Sequence, residues 1–288
     1  MTKIVDLFKK ANGRPFFICD VSPPRGADPD LLEPARFLDA DVLSVNYSPG
    51  RSARVNSAIA AGWIKANTGK EAMFALATRD MNRLALQSLL LGAQLLGLEN
   101  LVVLKGDRPT ERESSLVKEV HDLRPTELLR SIGDLNRGLD FKGLKLRTPT
   151  DLCAGAAIDL GRPLDREVAL TRRKVEAGAR FFLSQPVFDA GRPRRFFDRY
   201  VELTGEKIST PIFHGVQVIA ADSVVFGRLP EWVSADLDRG RSGRDIALQL
   251  IQEFADAGLS SIYLVPPVKK GGRRDYEAAQ AVLEAARP

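Results

Sequence analysis

Lys105, Gly106 and Asp107 set a cation, a permissive backbone position and an anion in three consecutive residues. Residues 101–104 before them are apolar and β-branched at their centre, the pattern of a strand buried on both faces. Gly lets backbone come close to a ligand, and the flanking charges stand at a strand's carboxyl end, where open α/β sheets and β/α barrels keep their chemistry. Taken alone, the tripeptide is an ordinary strand-to-loop turn with two solvated charges; the rest of the chain changes that reading. A second carboxylate, Asp20, interrupts the apolar stretch 15–21 before Pro23 and Pro24. Buried there, it costs several kcal/mol unless paired or protonated; at the strand's end it could simply accept hydrogen bonds from the turn. Asn46, Thr78, Gln185 and Gln217 close other strand-like runs.

These residues need elements to position them. Strands are expected to start near residues 15, 41, 71, 100, 152, 179, 211 and 261. Helical patterns fall at 28–38, 54–66, 82–97, 125–135, 164–178, 192–203, 225–237 and 243–257. The 82–97 pattern has leucines around most of its circumference and is expected to pack on the sheet. Eight β/α units without a Gly-rich dinucleotide fingerprint or a composition break predict a single-domain (β/α)8 TIM barrel over residues 1–288, with an excursion at about 109–145. The glycines at 240 and 243 follow no strand and make no phosphate loop.

Composition is that of a globular chain, 44% hydrophobic and 27% charged in 288 residues. The net charge of +5 and a pI near 9.3 suit an anionic small molecule about as well as nucleic acid. The basic residues are scattered, however, so a nucleic-acid footprint is poorly supported. No apolar run has the length of a signal peptide or a membrane span, and cytoplasm is the default location. Cys19 and Cys153 lie in apolar strands and read as buried free thiols. Two histidines give almost no material for a metal site.

In a closed barrel, Asp20, Asn46, Thr78, Lys105, Asp107, Gln185 and Gln217 would gather at one mouth. The set offers carboxylates as an acid and an electrostatic partner, amides to read a heterocycle, and a cation for a phosphate or a flavin edge. It holds no Ser-His-Asp or Cys-His arrangement for acyl transfer. Four stretches then carry a resemblance: 18–25 (Ile-Cys-Asp-Val-Ser-Pro-Pro-Arg); 100–107; 173–179 (Arg-Lys-Val-Glu-Ala-Gly-Ala) with 182–189 (Phe-Leu-Ser-Gln-Pro-Val-Phe-Asp); and 245–258, ending Leu-Ile-Gln-Glu-Phe-Ala-Asp-Ala-Gly. In this order and spacing the chain resembles the methylenetetrahydrofolate reductase family.

The resemblance implies a flavin-bearing barrel that reduces 5,10-methylenetetrahydrofolate to 5-methyltetrahydrofolate, with NADH, NADPH or a protein as electron donor. It implies FAD contacts at Asn46, Thr78, Lys105, Gly106, Asp107, Gly155, Ala156 and Lys174, and folate contacts at Gln185 and Gln217. Asp20 is implied as the general acid and Asp107 as the carboxylate beside the flavin and the cationic substrate. The chain departs from the family's pattern in places. Asp20 stands where Glu is typical, Lys105 where Arg is frequent, and Asn46 and Ala75 where Thr and His are common. The segment 155–160 lacks the usual loop aromatic and imidazole. Two other readings stand beside the reductase. One is a barrel lyase forming a Schiff base through Lys105 or Lys174. The other is a non-catalytic folate-binding subunit; a homo-oligomer is equally compatible with the sequence.

Overall fold

Runs of Val, Ile, Phe and Ala that bury both faces become eight strands in the computed structural model, which describes residues 3–220, 223–227, 229–269 and 272–287. They are β1 (Phe16–Val21), β2 (Val42–Val45), β3 (Ala72–Ala77), β4 (Asn100–Leu104), β5 (Cys153–Ile158), β6 (Phe182–Pro186), β7 (Ile212–Gln217) and β8 (Ser261–Val265). All neighbours pair in parallel in sequence order, and β1 pairs with both β2 and β8, so the sheet closes as the (β/α)8 barrel expected. Alternation along each strand sorts the core in two. Phe16, Ile18, Val42, Met73, Val102 and Phe213 fill the barrel, whereas Phe17, Cys19, Leu43, Phe74 and Ala156 meet the helix layer. Both cysteines are buried and free.

Helix α1 (Ile4–Ala11) plugs the end of the barrel opposite the strands' carboxyl ends. Its first N–H, on Ile4, donates to Asn100 Oδ1 at 2.8 Å, and the Phe8 ring meets Phe16 and Phe213 edge-on at 5.7 and 5.3 Å. Around the barrel run α2 (Ser57–Thr68), α3 (Arg83–Leu95), α4 (Glu111–Ser114), α5 (Pro125–Asn136), α6 (Leu164–Glu176), α7 (Gly191–Thr204), α8 (Glu231–Asp238), α9 (Gly243–Asp256) and α10 (Tyr276–Ala286). No helix among the described residues is long and apolar enough to cross a membrane.

Several elements differ from the expectations. The 28–38 pattern forms a 3₁₀ helix, Pro29–Phe37, in which Pro34 withholds a backbone donor from the middle of an α-helical ladder. The 225–237 pattern is helical only from Glu231, after Pro230, and its Arg228 lies outside the described residues. Helix α10, capped by Asp275 accepting from Ala278 N–H at 3.1 Å, was not expected beyond the Pro266-Pro267 stop. Helix α3 packs on one face alone: Leu86 and Leu90 are buried, but Leu84 and Leu95 are 62% and 88% exposed.

Candidate active site

The carboxyl ends of the strands hold the expected residues at one mouth, but they are not presented alike. Lys105 and Asp107 are exposed just beyond β4. Gly106 between them has φ +87°, and a Cβ there would meet Arg79 Cβ at 3.1 Å and Ala77 Cβ at 3.3 Å, so the turn requires glycine. Arg79 donates to the Asp107 carbonyl and grips Asp80, and Asp80 is also hydrogen-bonded by Tyr47, so loops after β2, β3 and β4 are tied together. Burial pushes Asp80 upward, but these hydrogen bonds outweigh it and hold its carboxyl below the usual range.

Gln185 is exposed, and an irregularity puts it there. The β6–β7 register shifts between Leu183 and Pro186; Gly215 N–H donates to Ser184 Oγ at 2.8 Å, and Ser184 Oγ–H donates to the Gln185 carbonyl at 2.9 Å. A Cβ on Gly215 would lie 2.7 Å from both Ser184 O and Pro186 N, so the bulge depends on that glycine.

Asp20 is sealed, at 1% exposure. Arg274 donates to its Oδ2 through Nε at 2.9 Å and Nη2 at 2.6 Å, Asn46 Nδ2 donates to Oδ1, and the Tyr263 hydroxyl bonds it as well. Burial drives the carboxyl above its ordinary range, against the pull of Arg274 and Tyr263. Guanidinium and amide offer only donors here, so the geometry suits the anion and leaves little for a proton on Asp20 to bond. Arg274 Nη1 is buried with no acceptor among the described residues.

Arg274 is delivered by an antiparallel bridge after β8. Val268 bridges Arg274, and Lys269 N–H donates to Arg273 O at 2.8 Å. Its neighbours fix it: Ser22 Oγ–H donates to Gly272 O, and Ser22 N–H to Tyr276 Oη, at 2.9 and 3.0 Å. From the other side Val224 N–H donates to Val268 O at 2.7 Å, and Gln217 holds that segment, its Nε2 donating to Val224 O and its Oε1 accepting from Phe226 N–H. Both ends of the buried Gln217 amide are thereby committed to backbone, which makes it a loop anchor where the resemblance implied a folate contact. Arg274, Tyr263 and Tyr276 were missed as site residues; the signal available was the run 269–275, basic residues about a Gly-Gly pair directly after a strand.

The FAD contacts implied by the resemblance are only partly presented at the mouth. Asn46, half-buried, turns its Nδ2 to Asp20, and Thr78 is 3% exposed with its N–H donating to Leu104 O at 3.0 Å. The space a side chain at Gly155 would need is filled by the Phe181 ring, 2.5 Å from an added Cβ, and Ala156 packs in the helix-facing core; Ala157 is the half-exposed residue of β5. Lys174 turns its amino group inward to Ala157 O, and burial lowers its pKa. Lys105 and Asp107 of that set lie open, Asn46 and Gly106 are half-buried, and Thr78, Gly155, Ala156 and Lys174 are buried, so as folded the whole set does not line an FAD site. Nor is the Lys174 amine open to a carbonyl substrate, as a Schiff-base lyase would require.

The methylenetetrahydrofolate reductase family model matches residues 6–237. The chain belongs to the methylenetetrahydrofolate reductase family. The match stops before β8, so Tyr263 and Arg274 lie beyond it. Among solved structures, the fold is similar to an uncharacterized protein from Clostridium thermocellum that binds two copies of 5-methyl-5,6,7,8-tetrahydrofolic acid, with TM-score 0.60 at 14% identity over 97% of this chain and 98% of that one. It is also similar to a tryptophan synthase from M. tuberculosis, TM-score 0.56 at 14% identity over 99% and 98% of the two chains. An oxaloacetate acetylhydrolase bound to 3,3-difluorooxalacetate gives TM-score 0.52 at 11% identity over 91% and 78%. At these identities the likeness is one of fold. No curated protein matches the chain.

Proposed function

We propose that the chain binds a reduced folate at the barrel mouth and reduces its one-carbon unit, taking 5,10-methylenetetrahydrofolate to 5-methyltetrahydrofolate with NADH or NADPH as hydride source. Family membership supports the substrate class, and the observation that carries the chemistry is the exposure of Gln185 and Asp107 at the ends of β6 and β4. An amide both donates and accepts, which matches the alternating edge of a pterin. Breaking the methylene bond to N10 leaves a cationic iminium at N5; hydride adds to the methylene carbon, and a proton from water ends on N10. The Asp107 carboxylate stabilises the cation as it forms. Sealed beneath Arg274, Asp20 acts as the fixed anion that holds the guanidinium rather than as the proton donor. No step is assigned to FAD, because four of its expected contacts, Thr78, Gly155, Ala156 and Lys174, are buried away from the mouth.

The test is NADH and NADPH oxidation coupled to 5-methyltetrahydrofolate formation, run with and without added FAD. Folate-dependent oxidation without flavin is the expected result, and Asp107→Asn should slow it roughly 10²-fold, the scale of one lost electrostatic contact. Turnover only after FAD is supplied would restore the flavin route; no turnover under either condition would leave a folate-binding protein.

A further inference from the structure

The helix ring is thin at the first crossover. Between β1 and β2 the crossover is the nine-residue 3₁₀ helix Pro29–Phe37, which is narrower than an α-helix and cannot cover the same width of barrel. Beside it, towards α10, lies a groove of about 610 Å³. Its floor is apolar, formed by Pro34, Phe37, Tyr276 and Ala281, and Phe37 is 72% exposed. Four carboxylates border it: Asp30 and Glu33 on the 3₁₀ side, Glu277 and Glu284 on α10. Asp30 and Glu277 have no ion pair among the described residues, and Glu33 reaches only Arg36 at 3.0 Å, one turn away. An acidic border around an apolar slot on a chain of net charge +5 is a local reversal of the molecule's field.

We propose that this groove receives one amphipathic α-helix of a partner protein, with its apolar stripe on Phe37 and Tyr276 and its Lys or Arg side chains on the four carboxylates. Helix α10 is 11 residues, about 16 Å long, so the wall matches three turns of a bound helix with anchors near i, i+3 or i+4, and i+7. The exposed stripe on α3, Leu84, Leu91 and Leu95, has beside it only Arg83 as a basic side chain, too few cations for four carboxylates, which favours a partner protein over a second copy docking through α3. An anionic bilayer would be repelled by the border. The proposal does not depend on the folate chemistry of the mouth.

The probe is a fluorescein-labelled 15-residue Leu/Lys helix with that stripe, compared with its Leu/Glu counterpart, by anisotropy against the full chain. Saturable binding of the Leu/Lys peptide alone is expected, with hydrogen-exchange protection confined to Pro29–Phe37 and α10. Phe37→Asp and the double variant E33K/E277K should each weaken it tenfold or more while circular dichroism stays unchanged. The proposal is overturned by no binding up to about 1 mM, by binding that ignores both variants, or by protection at the barrel mouth. Self-association of the chain that Phe37→Asp abolishes would assign the groove to a second copy and overturn it equally.

Discussion

Asp20 and Arg274 show how little a residue's type says about its service. A carboxylate in an apolar strand before two prolines reads as a candidate proton donor, yet the structure surrounds it with donors and closes it at 1% exposure. Removing one partner of such a pair leaves the other charge buried and uncompensated, which typically costs about 3–5 kcal/mol. Asp20→Asn is therefore expected to lose stability on that scale in urea unfolding. A proton donor standing free at the mouth would lose activity with its unfolding midpoint unmoved, so an unchanged midpoint would count against the anchoring role.

Among the elements, the irregular segment of β6 matters most to the site. Gly215→Ala has to displace Ser184 O or Pro186 N, each 2.7 Å from the new carbon, and backbone does not yield cheaply. A loss of about 1–3 kcal/mol is expected, the usual range for overpacking. Because the same backbone aims Gln185, affinity for 5-methyltetrahydrofolate should fall as well. Calorimetric titration of a variant that binds folate like the parent would separate Gln185 from the reading given to it. Regular strands were legible because burial on both faces writes a continuous apolar run into the chain, and all eight were found. The bulge was not, since Phe-Leu-Ser-Gln-Pro reads the same with or without a register shift.

At the scale of the whole molecule, the barrel and its helix layer bury groups that titrate. His214 faces the helices between Phe197 and Phe254, its Nδ1 has no hydrogen-bond partner among the described residues, and burial lowers its pKa from 6.5 to about 4. Between those values the unfolded chain takes up a proton that the folded chain refuses. Stability is therefore complete above pH 6.5 and falls as the pH drops through 6.5 towards 4, by roughly 3 kcal/mol in all. Urea unfolding at pH 7.5 and 4.5 should show the loss in the parent chain, and His214→Phe should remove that share of it. A His214→Phe variant with the parent's full pH dependence would place the titration elsewhere.

Local pattern determined the strand count, the closed barrel, the buried thiols at Cys19 and Cys153, and the family, because each is carried by residue type at short spacing. The exposed positions of Asp107 and Gln185 were legible for the same reason, since both stand at strand ends where alternation and the following turn decide exposure. Tertiary structure alone decided what those ends touch. Arg274 lies 254 residues from Asp20, Phe181 occupies the space over Gly155, and Lys174 turns to Ala157 O, all through strands and helices brought side by side by closure of the barrel. Burial and pairing at such range follow from the closed geometry of the whole sheet, and no window of neighbouring residues contains them.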